Sequence, residues 1–220
     1  MTRTIDVSHT IHHGMVTYKG LPPPVISDYL SRAESRSRYA PDTEFQIGKV
    51  EMVANTGTYI DAPYHRFAER ADVSQLDLSS VANLEGVVVR CNRTGSPAVD
   101  SKTFAGNRLH EKAVLIHSGW DQHWRTEEYS SGKHPFLTAG AAELLASSGV
   151  RLVGIDSFNI DDVNDGTRPA HTILLSHNIP IVEHLCGLSE LPDTGFRFFA
   201  VPVKVRGFGS FPVRAFAIVD

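Results

Sequence analysis

Apolar positions along the 220-residue chain gather in short β-branched runs separated by turn residues. TIDVS (4–8), QIGKVEMVA (46–54), EGVVVRC (85–91), KAVLIHS (112–118), RLVGID (151–156) and IPIVE (179–183) read as strands. FRFFAVPVKV (196–205) and FPVRAFAIV (211–219) flank RGFGS. Alternation on either side of a Gly-rich turn predicts a hairpin, with Pro202 and Pro212 confined to edges or bulges. LTAGAAELLASSG (137–149) predicts a helix, capped by Thr138 and closed at Gly149. The strand–helix–strand order over 112–156 points to an α/β layer, while the first and last thirds of the chain are mainly β. RAESRSRYAPDTE (32–44) is polar and reads as an exposed loop or a mobile lid. No repeat, low-complexity tract or long linker divides the chain, so one domain over 1–220 is expected.

Composition narrows the function classes. Hydrophobic residues make up 41% and charged residues 21%, ordinary for a globular protein. The net charge of −4, with no basic block, argues against a nucleic-acid partner. No apolar run approaches the ~18 residues of a membrane span. The opening MTRTIDVSHTIHHGM lacks the apolar stretch of a signal peptide. A cytoplasmic protein without a membrane partner is therefore expected. Cys91 and Cys186 each follow an apolar run and read as buried free thiols, although Cys186 lies close to Glu183.

Four polar clusters could carry chemistry. NTGTYIDAPYH (55–65) follows a strand and is too polar for a core strand itself. It offers Asn55, Thr58, Tyr59, Asp61 and His65. Asp61 and His65 are metal-ligating types that converge if Gly57 and Pro63 turn the backbone. The alternative is a loop in which Asp61 caps backbone N–H groups. RPAHTILLSHNIPIVEHL (168–185) holds His171, His177, Glu183 and His184. Glu183 ends an apolar strand, where a carboxylate must be paired, protonated or metal-bound. His177 is expected in a solvent-facing turn and His184 at the surface or partly packed. In GIDSFNIDD (154–162), Asp156 ends a strand and is either a ligand-binding residue or a turn cap. SHTIHHGMVTY (8–18) adds His9, His12, His13 and Tyr18, and HSGWDQHW (117–124) adds Trp120 and Trp124, either pocket-lining or core aromatics.

With these residues in place, the chain resembles the cyclase family of metal-dependent hydrolases, which includes bacterial kynurenine formamidase and isatin hydrolase. The family signature runs His-x-Gly-Thr-His-x-Asp-x-Pro-x-His. NTGTYIDAPYH keeps Gly57, Thr58, Asp61, Pro63 and His65 but carries Asn55 and Tyr59 where the first two histidines stand. The family's downstream His and Glu match His171 and Glu183. IDVSHTIHHGMVTYKG resembles the family's opening segment, with Tyr18 at an aromatic substrate contact, and VGIDSFNID and FPVRAFAIV fit its later segments.

The resemblance implies an α/β fold of the swivelling β/β/α type, with mixed sheets and few helices, assembled as a homodimer or homotetramer. It implies that Asp61, His171 and Glu183 bind metal, and that Asn55, at a family metal-binding position, offers only a weak amide oxygen to the other ion. His65 would be the general acid/base. Amide and phenol are poor zinc ligands beside imidazole, so one divalent ion, Zn or Mn, is expected, with the second weak or absent. The implied reaction is hydrolysis of a small amide, lactam or lactone by water activated on the ion. His65 would shuttle the proton, and Tyr59 or Asn55 would donate to the oxyanion. Tyr18, Trp120 and Phe158 would form an apolar wall for the substrate. Two other readings use the same residues: a metal-poor ligand-binding protein on this scaffold, and a lyase or cyclase.

Overall fold

The computed structural model describes residues 2–91 and 95–219. Among them run thirteen strands and three α-helices. The strands are β1 (Arg3–Asp6), β2 (Val25–Leu30), β3 (Ile47–Glu51), β4 (Tyr59–Asp61), β5 (Leu84–Arg90), β6 (Ala98–Val99), β7 (Ala113–His117), β8 (Phe136–Leu137), β9 (Leu152–Ile155), β10 (Ile181–Glu183), β11 (Phe196–Phe199), β12 (Ser210–Pro212) and β13 (Phe216–Val219). The helices are α1 (Arg32–Ser35), α2 (Ala139–Ser147) and α3 (Pro169–Ser176).

Nine strands form one mixed sheet in the order β1-β13-β11-β5-β7-β9-β10-β4-β12. Its centre, β5-β7-β9-β10, is parallel, and both flanks are antiparallel. The central strands are covered on both faces and are accordingly near-continuous in apolar residues. Alternation splits them between two cores. Val87, Val89, Val114 and Ile116 face a core shared with Ala142, Leu145 and Leu174 of α2 and α3. Val88 and Leu115 face the other core, with Ile60, Leu185 and Phe198. Thr138 caps α2 by accepting from the Ala141 N–H at 3.3 Å, and Gly149 leaves the helix at φ +70°. Few helices and a mixed sheet match the α/β architecture that the family resemblance implies. No helix among the described residues is long and apolar enough to cross a membrane.

Two local expectations fail and a third is refined. First, Tyr59–Asp61 is not loop but a fully buried strand between β10 and β12. Its polar side chains are tolerated there because each finds a buried polar neighbour, as described below. Second, 211–219 is not one strand of a tight hairpin. β12 pairs with β4 and β13 with β11 and β1. The run changes partners between the Val213 N–H, bonded to the Thr58 carbonyl, and the Ala215 carbonyl, bonded to the Val7 N–H. Pro212 ends the edge strand, and Pro202 lies outside any strand. Third, 32–44 opens with α1, held by a reciprocal capping box between Ser31 and Glu34. It connects two strands, β2 and β3, that pair as a separate exposed arm. Several apolar side chains on this arm are open to solvent, with Tyr29 73% exposed and Val50 53% exposed.

Candidate metal centre

Strand register brings the first functional residues together. Glu183 of β10 lies opposite Tyr59 of β4, and Ser210 of β12 lies opposite Asp61. Tyr59 and Asp61 are two residues apart, so all four side chains share one face of the sheet. The Tyr59 hydroxyl donates to Glu183 Oε2, and the Ser210 hydroxyl donates to Asp61 Oδ1. Glu183 Oε1 accepts the Ile160 N–H at 2.6 Å. Asp61 and Glu183 are entirely shielded from solvent.

The start of α3 supplies the imidazole. Arg168, at the N-cap position, has φ 50° and ψ 60° and makes no side-chain cap. The remote Asp161 caps the helix instead. It accepts the Ala170 N–H at 2.6 Å and the His171 N–H at 3.1 Å. The same carboxylate takes His171 Nδ1 at 2.6 Å. With Nδ1 engaged, Nε2 is turned inward, 3.6 Å from Asp61 Oδ2 and 3.7 Å from Glu183 Oε1. A carboxylate behind a ligating imidazole fixes both its tautomer and its orientation.

His65, partly exposed, completes the group. Ligand atoms of Asp61, His65 and His171 all lie within 4.8 Å of one another. His65 Nδ1 lies 2.9 Å from Ser210 Oγ, and Asn55 Nδ2 donates to the same oxygen at 3.4 Å. His65, His171 and Asn55 open onto a cavity of about 300 Å³, lined also by Tyr18, Tyr59 and Glu183.

The electrostatics of this cluster demand positive charge. Burial works against a protonated His171, yet Asp161, Asp61 and Glu183 outweigh it and hold the imidazole up at about 10. Burial also pushes Glu183 above the usual carboxylate range, against the pull of His171. Asp61 would rise with burial too, but His65, His171 and Ser210 hold it below its usual value. Asp61 Oδ2 is buried and has no hydrogen-bond partner, although it faces His171 Nε2. The protonated His171 balances its charge from 3.6 Å without making a hydrogen bond, and a polar group buried without one costs ~2–7 kcal/mol. Asp61, His65 and His171 converge closely enough for one divalent ion, and Glu183 Oε1 stands beside them, 3.7 Å from His171 Nε2.

At the position of the family's second histidine, a hydrogen-bonded tyrosine network occupies the space instead. The Tyr18 hydroxyl lies 2.7 Å from that of Tyr59, 3.1 Å from His184 Nε2 and 3.3 Å from Glu183 Oε2. His184 Nδ1 in turn lies 2.8 Å from the Tyr129 hydroxyl. Burial and the Glu183 charge push both Tyr18 and Tyr59 well above the usual phenol value, so both stay protonated. A phenol held in that state is a hydrogen-bond donor rather than a metal ligand.

Other sequence candidates go elsewhere. His184 is not at the surface but fully buried, and burial drives its imidazole down to about 3. Trp120 and Phe158 pack with Tyr129 in an aromatic cluster, and the Tyr18 ring lies against Phe158 at 4.8 Å. Asp156 caps a turn, accepting from the N–H groups of Ser118 and Gly119. His9 stacks on Trp124 with ring centres 3.9 Å apart, and His177 is exposed at the end of α3. Asp161 and Ser210 were not singled out in the sequence. Asp161 sits in the same polar set as Asp156, ten residues before His171. Nothing local marks Ser210, because its role follows from strand register alone.

A model of the family described as "Putative cyclase" matches residues 5–162. A kynurenine formamidase of Bacillus cereus is 29% identical over 220 residues, covering 96% of this chain and 95% of that protein. Isatin hydrolase A from Labrenzia aggregata, solved with benzyl benzoate, superposes with a TM-score of 0.85 at 20% identity, covering 99% of this chain and 94% of that one. A structure described as a potential metal-dependent hydrolase with cyclase activity gives 0.81 at 22% identity, covering 100% and 99%. With the family model matched over residues 5–162, well over half of its length, the chain belongs to the cyclase family.

Proposed function

We propose that this chain is a metal-dependent hydrolase of a small amide, lactam or lactone. The reading rests on the buried Asp61 Oδ2, which has no hydrogen bond and faces His171 Nε2, which in turn lies 3.7 Å from Glu183 Oε1. Asp61, His171 and Glu183 would hold one divalent ion, Zn or Mn. Bound there, such an ion polarises a carbonyl and acidifies water.

The chain's own groups do the rest. Ser210 donates to Asp61, so its oxygen is left to accept from His65 Nδ1–H. That assigns the proton of neutral His65 to Nδ1 and leaves Nε2 as the base. Nε2 takes the proton from water and returns it to the leaving nitrogen or oxygen. Tyr59 is engaged by Glu183 and fixes that carboxylate. Asn55, on the cavity wall, is the amide donor open to an oxyanion. The cavity volume suits one aromatic ring with its substituents. The relatives' names, kynurenine formamidase and isatin hydrolase, support an aryl formamide or a fused lactam. A homodimer or homotetramer, covering the apolar β2–β3 arm, is part of the same proposal.

Metal analysis of wild type, Glu183→Ala and His65→Ala, together with formanilide turnover, tests it. The expected result is about one Zn or Mn per wild-type chain, lost in Glu183→Ala. His65→Ala keeps metal but loses ~10²–10⁴-fold in kcat. Failure of wild type to take up either ion, or undiminished turnover in His65→Ala, overturns the assignment.

A further inference from the structure

Glu183 places a carboxylate on the cavity lining, and another part of the wall is basic. Arg66 and Arg168 both line it, alongside His65 and His171. Arg66 follows the proposed base directly, and Arg168 opens the helix that carries His171. Neither guanidinium forms an ion pair with any carboxylate among the described residues. Arg66 Nε donates to Thr172 Oγ1 at 3.2 Å, and the group lies 5.4 Å from the Phe67 ring centre. Arg168 Nη1 donates to Asn159 Oδ1 at 3.4 Å and to the Asp162 carbonyl at 3.3 Å. These contacts aim the two forks and leave most of their N–H groups unused.

Arg168 is anomalous for its place. A bulky L-residue in the left-handed region is strained, and such strain concentrates at functional positions. A cation at a helix N-terminus also opposes the helix dipole. The helix does not need Arg168 as a cap, since Asp161 performs that task. Positive charge on the wall has a further effect. It offsets the field of Asp61, Asp161 and Glu183, which would otherwise repel an anion entering the cavity.

We propose that Arg66 and Arg168 form an anion-recognition pair that selects substrates carrying a carboxylate away from the bond being hydrolysed. The proposal rests on the hydrolase reading for its substrate, but anion binding itself does not require turnover. Planar guanidinium forks recognise carboxylates through paired charge-assisted hydrogen bonds. Contacts remote from the reacting atoms are made equally in ground and transition states, so their loss raises KM and leaves kcat nearly unchanged.

The test compares N-formylanthranilate with formanilide, its uncharged parent, on metal-loaded wild type, Arg66→Gln, Arg168→Gln and the double variant. Alongside, benzoate binding is measured by calorimetry on wild type and the double variant. Wild type should show a KM about ten- to hundredfold lower for the carboxylate, and the double variant should lose that preference with kcat for formanilide intact. Equal KM values in wild type, or a preference that survives both substitutions, overturns the proposal. If neither formamide is turned over, the aryl-formamidase reading fails and benzoate decides. Binding to wild type that is lost in the double variant upholds the arginine pair, and no binding to wild type refutes it. Metal content and melting temperature of each variant separate loss of recognition from loss of fold.

Discussion

Asp161 does two jobs with one carboxylate. It caps α3 through two backbone N–H groups, and it orients the imidazole of the proposed metal site. The two roles can be separated. Asp161→Asn keeps an acceptor for the helix but removes the charge behind His171. A neutral partner supports the imidazole less well as a ligand. Metal affinity is therefore expected to fall ~10–100-fold while the protein remains folded. Competition titration against a chelator measures the first effect and circular dichroism the second. Unchanged affinity would mean that Asp161 serves the helix alone. Asp161 also shows what the sequence could not disclose. Asp61, His65, His171 and Glu183 could be singled out because they match positions in the signature of the family the chain resembles. A supporting carboxylate ten residues before His171 becomes visible only when the loop that carries it folds back over the helix start.

At the level of elements, the edge strand β12 controls the proposed base. The chain enters β12 through Gly209, whose carbonyl accepts the Ala62 N–H at 2.7 Å. A Cβ on Gly209 would come within 2.5 Å of His65 Cα and 2.8 Å of His65 N. Those are backbone atoms, so one segment must move. Gly209→Ala is expected to destabilise the fold by ~1–3 kcal/mol, as overpacking does. It should also displace His65, so kcat falls with metal content unchanged. Denaturant melts, turnover and metal analysis together check this. A variant with wild-type kcat would show that the strand end yields without disturbing the base. Most strands were readable from their β-branched runs, and α2 from its Thr138 cap and Gly149 exit. β4 was not, because its three residues look like loop until Glu183 and Ser210 are placed opposite Tyr59 and Asp61. The break in 211–219 was hidden for the same reason, since only partner strands show where the run changes allegiance.

For the molecule as a whole, imidazoles withdrawn from water are expected to make the fold acid-sensitive. Burial lowers His9 to about 4 and His184 to about 3, and lowers His134 as well. Asp121 opposes the shift at His9 without reversing it. Each ring is neutral in the fold and gains a proton on unfolding, with an ordinary value near 6.5. Their stabilising contribution is therefore present above about 6.5 and fades as pH falls toward about 4 and below. Melting temperature should drop steeply over that interval. His9→Phe keeps the stack on Trp124 and should make the drop shallower. An unchanged acid slope in the variant would show that His9 is not a source of the effect.

The juxtaposition of β4 and β10 has a further, kinetic meaning. Tyr59 and Glu183 are 124 residues apart in the chain, yet they face each other across one ladder step. Closing so long a loop is costly and belongs late in folding. An ion that needs both strands has no complete site in the unfolded chain, nor in a transition state that has not yet paired them. It then acts as a latch rather than a nucleus: it lengthens the life of the native state and leaves the speed of reaching it unchanged.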